Sequence, residues 1–339
     1  MNLNIRETIQ ELLAQEADTE HMLLRVQQAI GEYKKNMQTH AEIEPLQSVF
    51  TSCVESIEQG KSPILCNTGF THVDSVLGGC VAGEFIVLGG RTGMGKSQLA
   101  MILSLRMAQQ VPVMFVSYDY SMPLLGKKYI SILADVPFSD LISESISPNV
   151  LNRVHEAEKL LNNYSLVLQS PTHTKISSLS ASIRSAVETQ GIKVVYIDYI
   201  QLLKADMFMK IRDAELGFII RELKQLAKEL GICIIALSQL SRMVENRGGN
   251  KYPMLSDLRE SGSLEQDADV VIGIHRPEYF GIDISEDGES TLNLIELLIL
   301  KHKLGNTGIV RMKKNKAFTH IEDFSSPDFE IPNLENFFK

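Results

Sequence analysis

Eight residues between positions 90 and 97 have the types and spacing of a phosphate-binding loop. They read Gly-Arg-Thr-Gly-Met-Gly-Lys-Ser, after an apolar run at 85–88 and before a helical stretch at 98–109. Glycines let the backbone wrap around phosphate oxygens, and the N–H groups of the loop and of the next helix then face the anion. In such a loop the lysine reaches the β- and γ-phosphates and the serine ligates Mg²⁺. The predicted ATP-binding residues are Gly90, Arg91, Thr92, Gly93, Met94, Gly95, Lys96, Ser97 and Gln98.

Three further polar side chains stand where apolar runs end. Asp198 closes the run at 194–197, and a carboxylate ending a buried strand beside the loop's own strand is the expected second magnesium ligand. Asp119 follows the run at 113–117 and is predicted to orient or deprotonate the attacking water. Gln239 is predicted to hydrogen-bond the γ-phosphate and report its loss. The alternative for each is a polar residue that starts a turn or loop.

Cationic segments form a second group of candidates. Lys301 and Lys303 end an apolar run, either as a solvated strand end or as cations that reach a neighbouring subunit's nucleotide. The loop at 240–251, which contains Arg242, is long, basic and glycine-containing, and the segment 257–263 combines an arginine, a glycine and small hydroxyls. These features suit close approach to a sugar–phosphate backbone, although composition alone also fits a solvated surface loop.

The elements that must position these residues alternate between strands and helices from Phe70 onward. Continuous apolar runs separated by helical stretches indicate an α/β fold with a mostly parallel sheet covered on both faces. The predicted strands lie at 85–88, 113–117, 166–168, 193–197, 231–237, 269–274, 292–300 and 309–313. The predicted helices lie at 98–109, about 148–163, 177–189 and 213–230.

The region before this fold is polar and helical in pattern. Residues 1–44 predict two short amphipathic helices, and Leu46, Val49, Phe50, Cys53, Val54 and Ile57 form the apolar stripe of a helix at 46–58. From its pattern, that helix docks equally well on its own domain or on a neighbouring subunit. The final residues, 326–339, are predicted to be a loose tail.

Bulk properties exclude several classes of protein. The 339-residue chain carries a formal net charge of −9, which argues against coating nucleic acid through bulk charge but leaves room for a local basic channel. Its four cysteines form no CxxC pair, so neither a zinc site nor a disulfide framework is predicted. The absence of a signal-like N-terminus or a long apolar run predicts a cytoplasmic protein with no membrane partner.

Several segments together resemble the DnaB-type replicative helicases of bacteria and phages, which carry a RecA-like motor domain. The similarity covers about residues 45–323. It rests on the segments at 69–79, 90–97, 197–203, 223–230 and 236–242, and above all on the string SDLRESGSLEQDAD at 256–269.

This resemblance implies a hexameric ring or spiral on single-stranded DNA, with ATP bound between subunits and translocation from 5′ to 3′. It implies that the helix at 46–58 docks on the adjacent subunit. Arg259, Glu260 and Gly262 match positions that grip the DNA backbone, and Lys301 matches a lysine that touches the neighbouring γ-phosphate.

The sequence departs from the family pattern in three places. Asp119 stands where the family has a catalytic glutamate, and Lys303 stands where it has an arginine finger. The N-terminal region is shorter than the family's helical collar, so partnership with a standard primase is not expected, while a loader or other replication partner stays open. The predicted organisation is a helical extension at 1–44, a linker helix at 45–62, a RecA-like motor at 63–325 and the tail.

The leading hypothesis is therefore a DNA-stimulated ATPase and helicase of DNA replication. The alternative hypothesis is a nucleotide-gated regulatory protein with weak ATP turnover, and it is supported by Asp119 and Lys303. A strand-exchange recombinase and a small-molecule kinase fit less well, the kinase because the long basic loops would have no role there.

Overall fold

The computed structural model describes residues 44–247, 251–258, 262–284 and 288–324. The chain divides into two compact units, Met1–Ser62 and Pro63–Lys339. In the first unit the structure describes helix α1 (Leu46–Glu58), which confirms the helix predicted from the apolar stripe. The side chains of Leu46, Phe50 and Ile57 on that stripe are exposed. The helices predicted within 1–44 and the tail lie outside the described residues.

The second unit alternates strands with helices. Its strands are β1 (Ile64–Cys66), β2 (Cys80–Val81), β3 (Phe85–Gly90), β4 (Val113–Ser117), β5 (Leu166–Gln169), β6 (Val194–Asp198), β7 (Cys233–Gln239), β8 (Val270–His275), β9 (Leu294–His302), β10 (Gly308–Lys314) and β11 (Ile321–Asp323). Its helices are α2 (Thr71–Leu77), α3 (Lys96–Ala108), α4 (Met122–Leu133), α5 (Phe138–Leu141), α6 (Pro148–Glu158), α7 (Ile176–Gln190), α8 (Arg212–Leu230), α9 (Met243–Asn246) and α10 (Gly262–Asp267).

Nine strands form one sheet in the order β11-β10-β9-β8-β3-β7-β6-β4-β5. From β8 to β5 every neighbouring pair is parallel, whereas β9, β10 and β11 are added in antiparallel fashion. This confirms the predicted α/β class and the mostly parallel sheet. Because the carboxyl ends of parallel strands meet at one edge, the residues that follow β3, β4, β6 and β7 converge there.

The two faces of the sheet pack against different helices because side chains alternate along each strand. On β3, Ile86 and Leu88 face the apolar cluster that includes helix α3. Phe85 and Val87 face the opposite cluster, which includes helices α7 and α8. Both faces of this strand are therefore buried, as its continuous apolar run predicted.

Most predicted elements are confirmed within two or three residues, and two details were wrong. Elements that were not predicted are helix α4, strand β11 and the shorter β1, β2, α2, α5, α9 and α10. The helix expected across about 148–163 ends at Glu158 and is followed by a short 3₁₀ turn, Leu161–Asn163. Strand β6 was expected beside the P-loop strand, but β7 lies between β6 and β3.

Candidate nucleotide-binding site

The carboxyl ends of β3, β4, β6 and β7 open into a cavity of about 360 Å³. It is lined by Thr92, Gly93, Gly95, Lys96, Ser97, Gln98, Met101, Asp119, Tyr120, Lys128, Asp198, Tyr199 and Gln239. The structure thus brings together predicted residues from four separate segments of the sequence. This edge of a parallel sheet is where ligands of α/β proteins bind.

The loop between β3 and α3 depends on its glycines. Gly93 and Gly95 have φ values of +83° and +86°, a region that side chains rarely adopt. A Cβ atom on Gly95 would lie 2.3 Å from the Phe318 ring, and one on Gly93 would lie 2.9 Å from the Tyr279 ring. Helix α3 begins at Lys96, so its N-terminal amides face the loop, where an anion is stabilised.

Two residues of the predicted loop turn their side chains away from the cavity. Arg91 is 6% exposed, and it donates hydrogen bonds to the Glu245 carboxylate at 2.7 Å and to the Leu240 carbonyl at 2.8 Å. Met94 is 1% exposed and belongs to the apolar core. Neither residue lines the cavity, so the predicted contact with nucleotide is left to the backbone of the loop.

Lys96 is half-buried and Asp198 is buried. The Lys96 ammonium donates to the Arg91 carbonyl at 3.0 Å. Burial lowers the pKa of Lys96 to about 8, although the nearby Asp198 carboxylate opposes that shift. Burial also raises the pKa of Asp198 to about 6, against a hydrogen bond from Ser97 that lowers it. A phosphate and a cation would each favour the charged form of its partner.

The Asp198 carboxylate has spare capacity for a cation. The residue is 1% exposed, and its Oδ2 atom accepts no hydrogen bond from any described residue. A buried carboxylate oxygen without a partner is unusual and fits an oxygen ligand of Mg²⁺. Within the described ranges no group of three or more His, Cys, Asp or Glu residues is arranged to hold a metal, so such an ion would share its shell with phosphate, Ser97 and water.

Asp119 and Gln239 reach the cavity from β4 and β7. Asp119 is exposed, and the turn that carries it is tied to β6, because the Tyr118 amide donates to the Asp198 carbonyl at 2.7 Å. The Gln239 side-chain amide donates to the Thr92 hydroxyl at 2.7 Å. Gln239 therefore touches the phosphate-binding loop directly.

Lys301 and Lys303 lie at the opposite end of the sheet from the cavity, near the amino ends of the parallel strands. Since β9 runs antiparallel to β8, Lys301 is opposite Val271 near the amino end of β8. The Lys303 ammonium is 3.0 Å from the Asp269 carboxylate, and Lys301 donates to the carbonyls of Glu265 and Gln266. Lys303 pairs with Asp269, which is level with Phe85 at the start of β3. Gly90 is five residues further along β3, so at about 3.3 Å per residue Lys303 stands roughly 17 Å from the level of the phosphate-binding loop. The structure does not bring these lysines to the cavity of their own chain.

The candidate DNA-binding residues are placed only in part. Arg242 is exposed, directly before α9, and Gly262 is the first residue of α10. Arg259 and Glu260 lie outside the described residues.

Met101, Tyr120, Lys128 and Tyr199 also line the cavity and were not predicted from the sequence. The Lys128 ammonium lies 4.2 Å from the centre of the Phe138 ring, and burial lowers its pKa. Lys128 belongs to α4, the helix that was not predicted. A helix recognised directly after Asp119 would have pointed to Lys128.

No helix among the described residues is long and apolar enough to span a membrane. The RecA-like motor expected from the sequence is matched by a solved ATPase domain, with a TM-score of 0.74 and 27% identity over 84% of this chain and 100% of that chain. A solved DnaB-like replicative helicase matches with a TM-score of 0.72 and 25% identity, over 95% of this chain and 75% of that chain.

Sequence comparison points to the same family. The chain is 31% identical to the replicative DNA helicase DnaB of Leifsonia xyli subsp. xyli, over 83% of this chain and 62% of that protein. It is 35% identical to the DnaB of Haemophilus influenzae, over 76% of this chain and 55% of that protein. The chain thus spans little more than half the length of these relatives. Residues 66–323 match the model of the DnaB-like helicase C-terminal domain, and the chain belongs to that family.

Proposed function

We propose that this chain is an ATP-dependent DNA helicase that moves along single-stranded DNA during replication, as a ring or spiral of identical copies, most simply a hexamer. The observation that carries the proposal is the division of its candidate catalytic groups. One set lines the cavity at the carboxyl edge, while Lys301 and Lys303 lie at the opposite edge. A complete site therefore requires two copies. One copy contributes the cavity at the carboxyl ends of its parallel strands, and the other contributes Lys301 and Lys303 from the opposite end of its sheet.

Within one copy, the cavity residues bind and prepare ATP. Lys96 and the amides at the start of α3 hold the β- and γ-phosphates. Ser97 and Asp198 would hold Mg²⁺, which neutralises phosphate charge when it is bound. The Asp119 carboxylate accepts a proton from the attacking water, and Gln239 senses the γ-phosphate and passes its loss to the loop after β7.

The neighbouring copy supplies cations. Lys301 and Lys303 stabilise the charge that develops on the γ-phosphate, the role of an arginine finger supplied in trans. Arg242, Arg259, Glu260 and Gly262 are the residues we assign to the DNA backbone. Backbone contacts carry little sequence information, so no preferred DNA sequence is expected.

Mixing two inactive variants tests the shared site. Lys96→Ala copies lack a working phosphate loop but still present Lys303, whereas Lys303→Met copies have the opposite defect. Each variant alone should show little DNA-stimulated ATPase activity, and the mixture should recover part of it because some interfaces combine both intact halves. Failure of every mixing ratio to recover activity, with assembly intact, would contradict a site built between copies.

The helicase assignment has its own test. The full chain should hydrolyse ATP faster with single-stranded DNA than without it, and should unwind a fork with a 5′ tail, while Lys96→Ala does neither. ATP-dependent DNA binding without appreciable turnover would instead favour a nucleotide-gated regulatory protein. The observation behind that second candidate is the short, exposed Asp119 in place of a glutamate.

A further inference from the structure

The segment 265–269 holds both lysines at the end of β9. The Lys303 ammonium contacts Oδ1 of Asp269 at 3.0 Å, and its backbone amide donates to the Asp269 carbonyl at 2.9 Å. Lys301 donates to the carbonyls of Glu265 and Gln266. From these contacts we infer that Asp269 is a positioning residue that aims Lys303 at the ATP of a neighbouring copy, an inference that rests on the proposed trans role of Lys303.

Asp269 is itself anchored to the central strand of the sheet. Its Oδ2 atom accepts a hydrogen bond from the Phe85 amide at 2.8 Å, and its own amide donates to the Phe85 carbonyl at 2.9 Å. Phe85 starts β3, the strand that leads into the phosphate-binding loop. The hydrogen bonds to Phe85 thus hold the carboxylate in place, and the ion pair restricts the position of the Lys303 ammonium.

The charge of Asp269 is also secured. Burial alone would raise its pKa, but hydrogen bonds from Lys224, the Phe85 amide and Lys303 outweigh burial and lower that pKa. The carboxylate is therefore ionised at neutral pH and attracts the ammonium of Lys303 throughout the working range.

Lys303 keeps donors for a second partner. An ammonium has three N–H donors, and one of them is directed at Asp269. The side chain of Lys303 is 47% exposed, against 11% for Asp269. Within the described part of the chain only Asp269 pairs with this ammonium, so its other donors can bind an anion such as the γ-phosphate of a neighbouring copy.

A lysine in this role needs such a partner more than an arginine does. The guanidinium of arginine is a rigid, forked donor, whereas lysine carries a point charge on a flexible stem. The pairing with Asp269 is built into the backbone, since Lys303 and Asp269 extend the antiparallel ladder in which His302 is opposite Val270. Asp269 therefore supplies the orientation that the lysine side chain lacks.

A double-mutant cycle on the full chain tests this inference. ATPase rates with saturating single-stranded DNA are measured for the wild type, Lys303→Met, Asp269→Asn and the double variant. Lys303→Met should lower kcat at least about tenfold, and Asp269→Asn should lower it about tenfold, each with little change in KM because the phosphate loop is intact. The double variant should be no slower than Lys303→Met, because Asp269 acts only through Lys303.

Lys224→Met is the matched control, because it removes the other cation from the same carboxylate. The kcat of Lys224→Met should stay within about twofold of the wild type. In Asp269→Asn, the side-chain oxygen can still accept the hydrogen bond from the Phe85 amide, so the anchor to β3 is kept. Equal losses on Asp269→Asn in both backgrounds, or an equal loss on Lys224→Met, would show a merely structural effect and overturn the inference alone. Wild-type kcat in Lys303→Met would overturn the trans role in the proposed function and the inference with it.

Discussion

Lengthening Asp119 by one methylene is the most direct probe of the catalytic centre. Asp119→Glu extends the side chain by one carbon–carbon bond, about 1.5 Å. Asp119 is exposed and lines the cavity beside Lys96 and Asp198, so the added methylene meets no packed core. Its effect on the free energy of unfolding should stay within about 0.5 kcal/mol. A change in hydrolysis rate would then report geometry and not folding.

The expected gain follows from the sensitivity of a bound water to position. A misplacement of about 1 Å can cost on the order of a hundredfold in rate. Asp119→Glu should therefore raise the single-turnover rate of ATP hydrolysis about 10- to 100-fold, or about 1.4–2.7 kcal/mol of activation free energy. Asp213→Glu, an exposed residue in the first turn of α8, is the matched control and should change nothing. An Asp119→Glu rate equal to or below that of the wild type would refute the reasoning, and Asp119→Asn should lie well below both.

Three further predictions concern the phosphate-binding loop. Arg91→Met should lower the free energy of unfolding, measured with urea, by about 1–3 kcal/mol, because two hydrogen bonds of a buried guanidinium are lost. The Kd for ATP, measured by titration, should change less than about threefold. A large loss of affinity would show that the Arg91 side chain reaches the nucleotide. Gly95→Ala should abolish ATP binding, because its Cβ would lie 2.3 Å from the Phe318 ring, whereas Gly126→Ala, with nothing within 4 Å, should bind normally and stabilise α4. The charged ammonium of Lys96 binds phosphate and its pKa is lowered to about 8, so affinity for ATP without Mg²⁺ should fall as pH rises through about 8. In calorimetric titrations, Lys96→Arg should not show this fall in affinity. The same fall in both proteins would assign the titration to another group.

Local patterns were sufficient to predict the eight strands from β3 to β10 and the polar residues near their ends, but not the short strands β1, β2 and β11. A buried strand has a continuous apolar run, and the polar residues that end it mark the carboxyl ends of the parallel strands, as for Asp198 and for Ser238 with Gln239. The order of strands depends on crossovers that no local pattern records, which is why β7 was not expected between β6 and β3. Helix α4, and with it the cation Lys128, was missed because Gly126 interrupts its interior and lowers its helix propensity, although Pro123 lies in the first turn, where proline is tolerated.

Pairings between distant residues could not be predicted either. Asp269 and Lys303 meet because β8 and β9 are antiparallel neighbours with one irregularity of register, between Val271 and Ile272. A shift of one residue would turn the Lys303 side chain to the other face of the sheet. The cationic strand end and the resemblance to a family therefore identified Lys303 as a candidate, whereas its partner Asp269 was found only from the structure.

The two departures from the family pattern at candidate catalytic residues, Asp119 and Lys303, have different structural settings, and this difference predicts which one has the larger effect. Lys303 has Asp269, an anchored and ionised partner that fixes its ammonium, so Lys303→Arg should raise kcat no more than about threefold, roughly 0.6 kcal/mol. Asp119 is exposed, and no comparable ion pair holds its carboxylate within the described chain. Reversion at 119 should therefore change single-turnover hydrolysis far more than reversion at 303, and the double reversion should differ little from Asp119→Glu alone. The opposite ranking would mean that the rate is limited by the cation from the neighbouring copy and not by the placement of water.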